Sequence, residues 1–139
     1  MPELPFKILG IEHVGIAVDD LNGISDVFGD LLGLKLRSRE KIDDQQVITD
    51  IYETGSGKLE FLKATDENSP ISRFIDKKGK GVHHIAFKVD NLQAALDYLK
   101  GQGAQLVDTS PRIGAEGFKI AFLHPKSSGG VLIELCENK

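Results

Sequence analysis

A strand-like run of apolar residues broken by single polar positions occupies Ile11–Leu21, IEHVGIAVDDL, and returns over Val82–Leu92, VHHIAFKVDNL. Set one above the other, the two runs share His13 with His84, Val18 with Val89, Asp19 with Asp90 and Leu21 with Leu92, and their apolar positions agree almost throughout. Helical spacing follows each run and stops on glycine. In the first it is carried by Ile24, Val27, Phe28, Leu31 and Leu32 ahead of Gly33, and in the second by Leu92, Ala95, Leu96 and Leu99 ahead of Gly101 and Gly103. A short apolar piece comes next, Gly33–Leu36 in one half and Gly103–Leu106 in the other. Two more strand-like segments close each half. Val47–Glu53 and Lys58–Lys63 flank the turn Gly55-Ser56-Gly57, and Phe118–Leu123 and Gly130–Cys136 flank the loop His124–Gly129.

Each half therefore reads β-α-β-β-β. The pattern predicts an α+β fold of two tandem modules, about 8–65 and about 80–137, in one domain spanning 1–139. A linker helix is expected at about 69–78, with Ser69 at its N-cap, Pro70 in its first turn and Ile71, Phe74 and Ile75 on its apolar face.

Duplication also selects polar residues. His13 and His84 fall at one shared position on the first strands, and Glu60 and Glu134 at another on the last. Successive strand residues face opposite ways, so His84 shares a face with Ala86 and Lys88, while His83 joins Ile85, Phe87 and Val89. Two units paired about a pseudo-twofold axis would bring the four polar residues to one centre. Two imidazoles and two carboxylates suit a divalent first-row metal and leave positions for water or a bidentate substrate. A lone strand histidine is ordinarily a hydrogen-bonded structural residue. A carboxylate within KLEFL or VLIELC is costly to bury unpaired, and the placing of all four at duplicated positions favours the metal site. His83 aligns with Glu12, lies outside the duplicated set and is expected in packing or a hydrogen bond.

Composition narrows the class without changing it. With 139 residues, 40% hydrophobic and 27% charged, the chain suits one globular domain. A net charge of −4 with scattered Lys and Arg excludes a nucleic-acid reading, and the apolar runs are far short of a membrane span. The start MPELPFKILG lacks a signal-peptide plan, so a cytoplasmic protein is expected. Cys136 is the single cysteine, which rules out a disulfide within the chain, and its apolar surroundings predict an inert core thiol.

The modules with His13, Glu60, His84 and Glu134 resemble the vicinal-oxygen-chelate (glyoxalase) superfamily. Nearly from end to end the sequence resembles its methylmalonyl-CoA epimerase family, through IEHVGIAV (11–18), KLEFL (58–62), SPISRFI (69–75), GKGVHHIAFKV (79–89), PRIGAEG (111–117) and FLHPKSSGGVLIEL (122–135). The resemblance implies a cup-shaped mixed sheet around a metal site, with one divalent metal ion per chain (cobalt, manganese, nickel or zinc) on those four residues. It also implies an acyl-CoA substrate epimerised through α-proton removal and return, and a homodimer. Some family members carry a further glutamate, thought to act as a base, at the place that falls here on Thr49, which cannot ionise near neutral pH. Glu60 and Glu134 are then the expected catalytic bases. The same resemblance points to Gly114 and Gly117 for close backbone approach to the acyl group, and to Lys126 and Ser127 for a carboxylate or CoA phosphate. Lys77, Lys78 and Lys80 are expected to be a solvated run. A lactoylglutathione lyase and a non-catalytic small-molecule-binding member of the fold are the competing readings.

Overall fold

The computed structural model describes residues 3–138. The chain divides into two compact units, His13–His83 in one and residues 3–12 with 84–138 in the other. The divisions fall inside two strands, β1 (Ile8–Val18) and β5 (Gly81–Val89). Both units are α+β, as expected.

In the His13–His83 unit, β1 leads into a helical turn, α1 (Leu21–Ile24), and then come β2 (Lys35–Ile42), β3 (Val47–Glu53), β4 (Lys58–Ala64) and α2 (Pro70–Lys78). The strands lie in the order β2-β3-β4-β1, with β1 parallel to β4 and the other pairs antiparallel. Val18, Leu21, Tyr52 and Phe61 form the core beneath the helical segment, joined by Ile24, Phe28 and Leu34. The helix expected from the spacing of Ile24 to Leu32 is only partly α-helical. Ser25–Leu31 is a π-helix, with the Leu32 N–H donating to the Val27 carbonyl at 2.9 Å. An i→i+5 turn takes more residues per revolution than an α-helical one. The spacing that holds one face in an α-helix therefore leaves Val27, Leu31 and Leu32 exposed.

The strand after this helix is also longer and more polar than the expected piece at Gly33–Leu36. It runs at the edge of its sheet as KLRSREKI, with only Ser38, Glu40 and Ile42 half-buried. An edge strand buries little, so its apolar signal is weak. The segment is held by Arg39, which grips Asp50 of β3 with bonds of 2.6 and 2.9 Å. Asp50 is 1% exposed, and the pair raises the Arg39 pKa above its ordinary value. Burial, and then the nearby Asp50 charge, raises that of the Tyr52 phenol. Arg39→Met leaves that buried carboxylate without its cation and is expected to cost about 3 kcal/mol in chemical denaturation. A loss below 0.5 kcal/mol, the ordinary range of a surface substitution (roughly ±0.5 kcal/mol), would contradict this.

The linker helix forms where expected. The Ser69 hydroxyl accepts the Ile71 N–H, Pro70 opens the first turn, and Ile71, Phe74 and Ile75 pack with Ala17, Val47 and Leu62.

The second unit contains β5, α3 (Leu92–Gly101), β6 (Arg112–Ile113), β7 (Lys119–Leu123) and β8 (Ile133–Glu137), in sheet order β5-β8-β7-β6. Asn91 caps α3 through the Ala94 N–H, and the helix buries Leu92, Ala95 and Leu96 against Val89, Ala121 and Leu135. The start of the chain packs here. The Lys7 N–H donates to the Asp90 carboxylate at 2.7 Å, and the Phe6 and Tyr98 rings lie 6.0 Å apart. Instead of a strand at Gly103–Leu106 there is a single bridge from Leu106 to Leu123. The pairing strand, β6, lies inside what reads as the glycine-rich loop 111–117, because two residues are too few to carry a periodic signal. On the face away from α3, Ala86, Ile120, Phe122 and Cys136 form a second cluster. Cys136 is fully buried there, 3.5 Å from the Phe87 carbonyl, as expected of a core thiol. No helix among the described residues is long and apolar enough to cross a membrane.

Candidate metal centre

Each unit builds the same small arrangement. In the first, β1 runs parallel to β4 with Gly15 opposite Glu60. In the second, β5 runs parallel to β8 with Ala86 opposite Glu134. The histidine stands two residues before the small residue in both, and so on the same face. A glycine or alanine opposite the glutamate lets the carboxylate lean along the strand toward the imidazole. His13 Nδ1 lies 3.1 Å from Glu60 Oε2, and His84 Nε2 lies 3.2 Å from Glu134 Oε1. All four residues are 4–5% exposed. His83 behaves as the face argument requires, meeting the Phe74 ring edge-on at 4.9 Å.

The described chain has seven buried polar residues, namely these four with Thr49, Asp50 and Ser69. Asp50 answers to Arg39, and Ser69 caps α2. The remaining five are the two His–Glu pairs and Thr49. Each His–Glu pair offers one imidazole nitrogen and one carboxylate oxygen, donors that suit a divalent first-row ion, so the residues fit the group that the sequence leads one to expect.

What surrounds each pair is set by strand register. The turn after β3 closes with the Thr54 N–H on the Gly57 carbonyl at 3.0 Å, placing Ile51 opposite Glu60 and Thr49 opposite Leu62. Thr49 and Ile51 thus share the Glu60 face, and Asp50 and Tyr52 point the other way. Beyond Thr49 on the same face stands Glu40 of β2, which accepts a hydrogen bond from Ser38 Oγ at 3.3 Å. The second unit repeats the register with different residues. Phe122 lies opposite Glu134, Ile120 opposite Cys136, and Arg112 of β6 opposite Ile120. Arg112 is therefore the counterpart of Glu40. Neither residue stands out in the sequence, because recognising them requires the pairing of β2 and β6.

At Gly114, Gly117, Lys126 and Ser127, the positions expected at the substrate, the contacts are local. Gly114 lies so close to Ile120 that an added Cβ would come within 2.7 Å of its Cδ1. Gly117 adopts φ +75° at the end of a short 3-10 turn and donates to the Gly114 carbonyl. Ser127 Oγ accepts the Gln105 N–H at 2.7 Å, and the Lys126 N–H donates to His124 Nδ1, which makes His124 the cap of its turn.

Residues 12–122 match the Glyoxalase/Bleomycin resistance protein/Dioxygenase superfamily. The mitochondrial methylmalonyl-CoA epimerase of Mus musculus is 36% identical over 131 residues, 94% of this chain and 74% of that protein. The crystal structure of methylmalonyl-CoA epimerase from Mycobacterium tuberculosis is 37% identical and superposes with a TM-score of 0.90, covering 95% of this chain and 89% of that one. The chain belongs to the methylmalonyl-CoA epimerase family. A further epimerase structure, a complex with methylmalonyl-CoA and NH4+, is 31% identical with a TM-score of 0.88 and covers 95% of this chain and 96% of that one. The resemblance read in GVHHIAFKV and FLHPKSSGGVLIEL is thereby borne out. The superfamily match takes in His13, Glu60 and His84 and stops short of Glu134. In this member of the epimerase family, the pairing of Glu134 is read from the β5–β8 register.

Proposed function

We propose that this chain interconverts the (R) and (S) epimers of methylmalonyl-CoA, with one divalent metal ion held jointly by His13, Glu60, His84 and Glu134. The observation that carries this reading is the His–Glu pair built twice in one register, in a chain 36% identical over 94% of its length to a methylmalonyl-CoA epimerase. Two imidazoles and two carboxylates accommodate cobalt, manganese, nickel or zinc alike. A bound divalent ion supplies Lewis-acid stabilisation of the negative charge that develops as the α proton leaves.

The α carbon lies between a thioester and a carboxylate, so loss of its proton gives a planar enolate with two faces. Inversion needs a proton taken from one face and returned to the other. Glu60, from one unit, and Glu134, from the other, are the two bases in this reading. Thr49 contributes a buried hydroxyl on the Glu60 face and no base. Two-base inversion predicts uptake of deuterium at the α carbon, with loss of optical purity, when the metal-loaded protein is given one epimer in heavy water. Exchange no faster than background with each of the four metals would overturn the epimerase reading.

A further inference from the structure

We propose that Arg112 holds the free carboxylate of the bound acyl group and so selects carboxylated acyl thioesters over plain ones; the inference deepens the epimerase reading and rests on it. Among the described residues two buried side-chain polar atoms have no hydrogen-bond partner, Thr49 Oγ1 and Arg112 Nε. A buried polar group without a partner is rare enough in a folded protein to need a reason, and an absent ligand is one.

Arg112 is placed for such a ligand. The β6–β7–β8 register sets it on the same face as Phe122 and Glu134. Its guanidinium carbon stands 5.6 Å from the centre of the Phe122 ring, and that ring meets His84 edge-on at 5.5 Å. One aromatic ring thus separates the cation from the His84–Glu134 pair. The cation–π contact with Phe122 holds the guanidinium beside that ring. Asp108 lies 3.4 Å from Nε without hydrogen-bond geometry, and its other oxygen accepts the Phe122 N–H at 2.9 Å. Asp108 therefore steers the arginine without satisfying it. The side chain is 37% exposed, so the fork can be reached from solvent.

The duplication sharpens the argument. The units are alike in their His–Glu pairs and opposite in charge at the position two strands away, Arg112 in one and Glu40 in the other. A substrate carboxylate beside the His84–Glu134 pair meets attraction at Arg112, and the first unit offers no cation at the matching position. A planar carboxylate matches the guanidinium fork with two parallel bonds. Removal of the α proton adds a second negative charge to a group that already carries one, and a fixed cation beside it favours that step.

The test uses two inert ligands that differ only in the group at issue. 2,2-Dimethylmalonyl-CoA has the carboxylate and no α proton, and isobutyryl-CoA has the same skeleton without the carboxylate. Calorimetric titration of the metal-loaded protein should show the first binding more tightly. Arg112→Gln is expected to weaken 2,2-dimethylmalonyl-CoA about 10- to 100-fold while moving isobutyryl-CoA less than about twofold, and Arg112→Lys to fall between. An unchanged ratio of the two affinities in Arg112→Gln, or equal weakening of both ligands, would overturn the inference. So would a wild-type protein with no preference between them, provided it still exchanges the α proton of methylmalonyl-CoA. If the wild type neither exchanges that proton nor binds either thioester, the epimerase reading itself falls. Metal content and thermal midpoint measured on each variant separate loss of fold from loss of the contact, and Arg112→Lys, which retains the charge, supplies the readout should Arg112→Gln fail to fold.

Discussion

His84→Ala is expected to remove the metal and to lower epimerisation by on the order of 10³-fold or more, while His83→Ala, one residue away, keeps both. The difference follows from the alternation of β5. His84 lies on the face of Ala86, with Nε2 at 3.2 Å from Glu134, and His83 meets the Phe74 ring. Loss of His84 removes a proposed nitrogen ligand and also takes the imidazole from the buried Glu134 carboxylate, a cost of about 1–3 kcal/mol. A lowered thermal midpoint therefore accompanies the loss of metal. His83→Ala removes an edge-on ring contact and is expected to cost about 1 kcal/mol with activity intact. Elemental analysis after gel filtration, with an epimerisation assay on the same samples, decides the matter. Stoichiometric metal in His84→Ala, or its loss in His83→Ala, would sink the assignment.

Glu60→Gln and Glu134→Gln are each expected to lower epimerisation about 10²- to 10⁴-fold, and to leave α-proton exchange in opposite epimers. A two-base mechanism has one carboxylate facing the proton of the (R) form and the other facing that of the (S) form. With one base gone, the epimer whose proton faces the surviving carboxylate still exchanges with solvent, but the proton returns to the side it left. Deuterium then enters that epimer without inversion, and the other epimer exchanges slowly. Separate exchange experiments on the two resolved epimers read this out, and metal analysis distinguishes a weakened ligand from a missing base. A glutamine variant that binds metal and epimerises at near wild-type rate marks that glutamate as a ligand with no proton to move. Variants whose α-proton exchange is slowed equally in both epimers would contradict the assignment of one base to each face.

The parts of the protein that could be read along the chain are those in which local pattern and burial coincide. The repeat of IEHVGIAV in VHHIAFKV, the turn at Gly55–Gly57 and the Ser69-Pro70 helix start depend on side chains within one or two turns or strands, and they fold as their spacing requires. The His–Glu pairs were legible for the same reason, because duplication turned a long-range relation into a comparison of two short segments. The π-helix at Ser25–Leu31 was not, since its apolar spacing fits an α-helix as well.

Arg112 and Glu40 mark the boundary between the two kinds of information. Each sits on a strand with little apolar signal, an edge strand of charged residues in one case and a two-residue strand in the other. Only the pairing of those strands with β3 and β7 sets them on the faces that carry Glu60 and Glu134. The sequence alone was enough to name the repeated modules, the four proposed ligands and which of two adjacent histidines faces them, because alternation and duplication are properties of order along a chain. Tertiary structure decided what stands beside the proposed ligands, a fully buried threonine and two opposite charges at matching places. Register between strands is a long-range property, settled by the packing of whole faces.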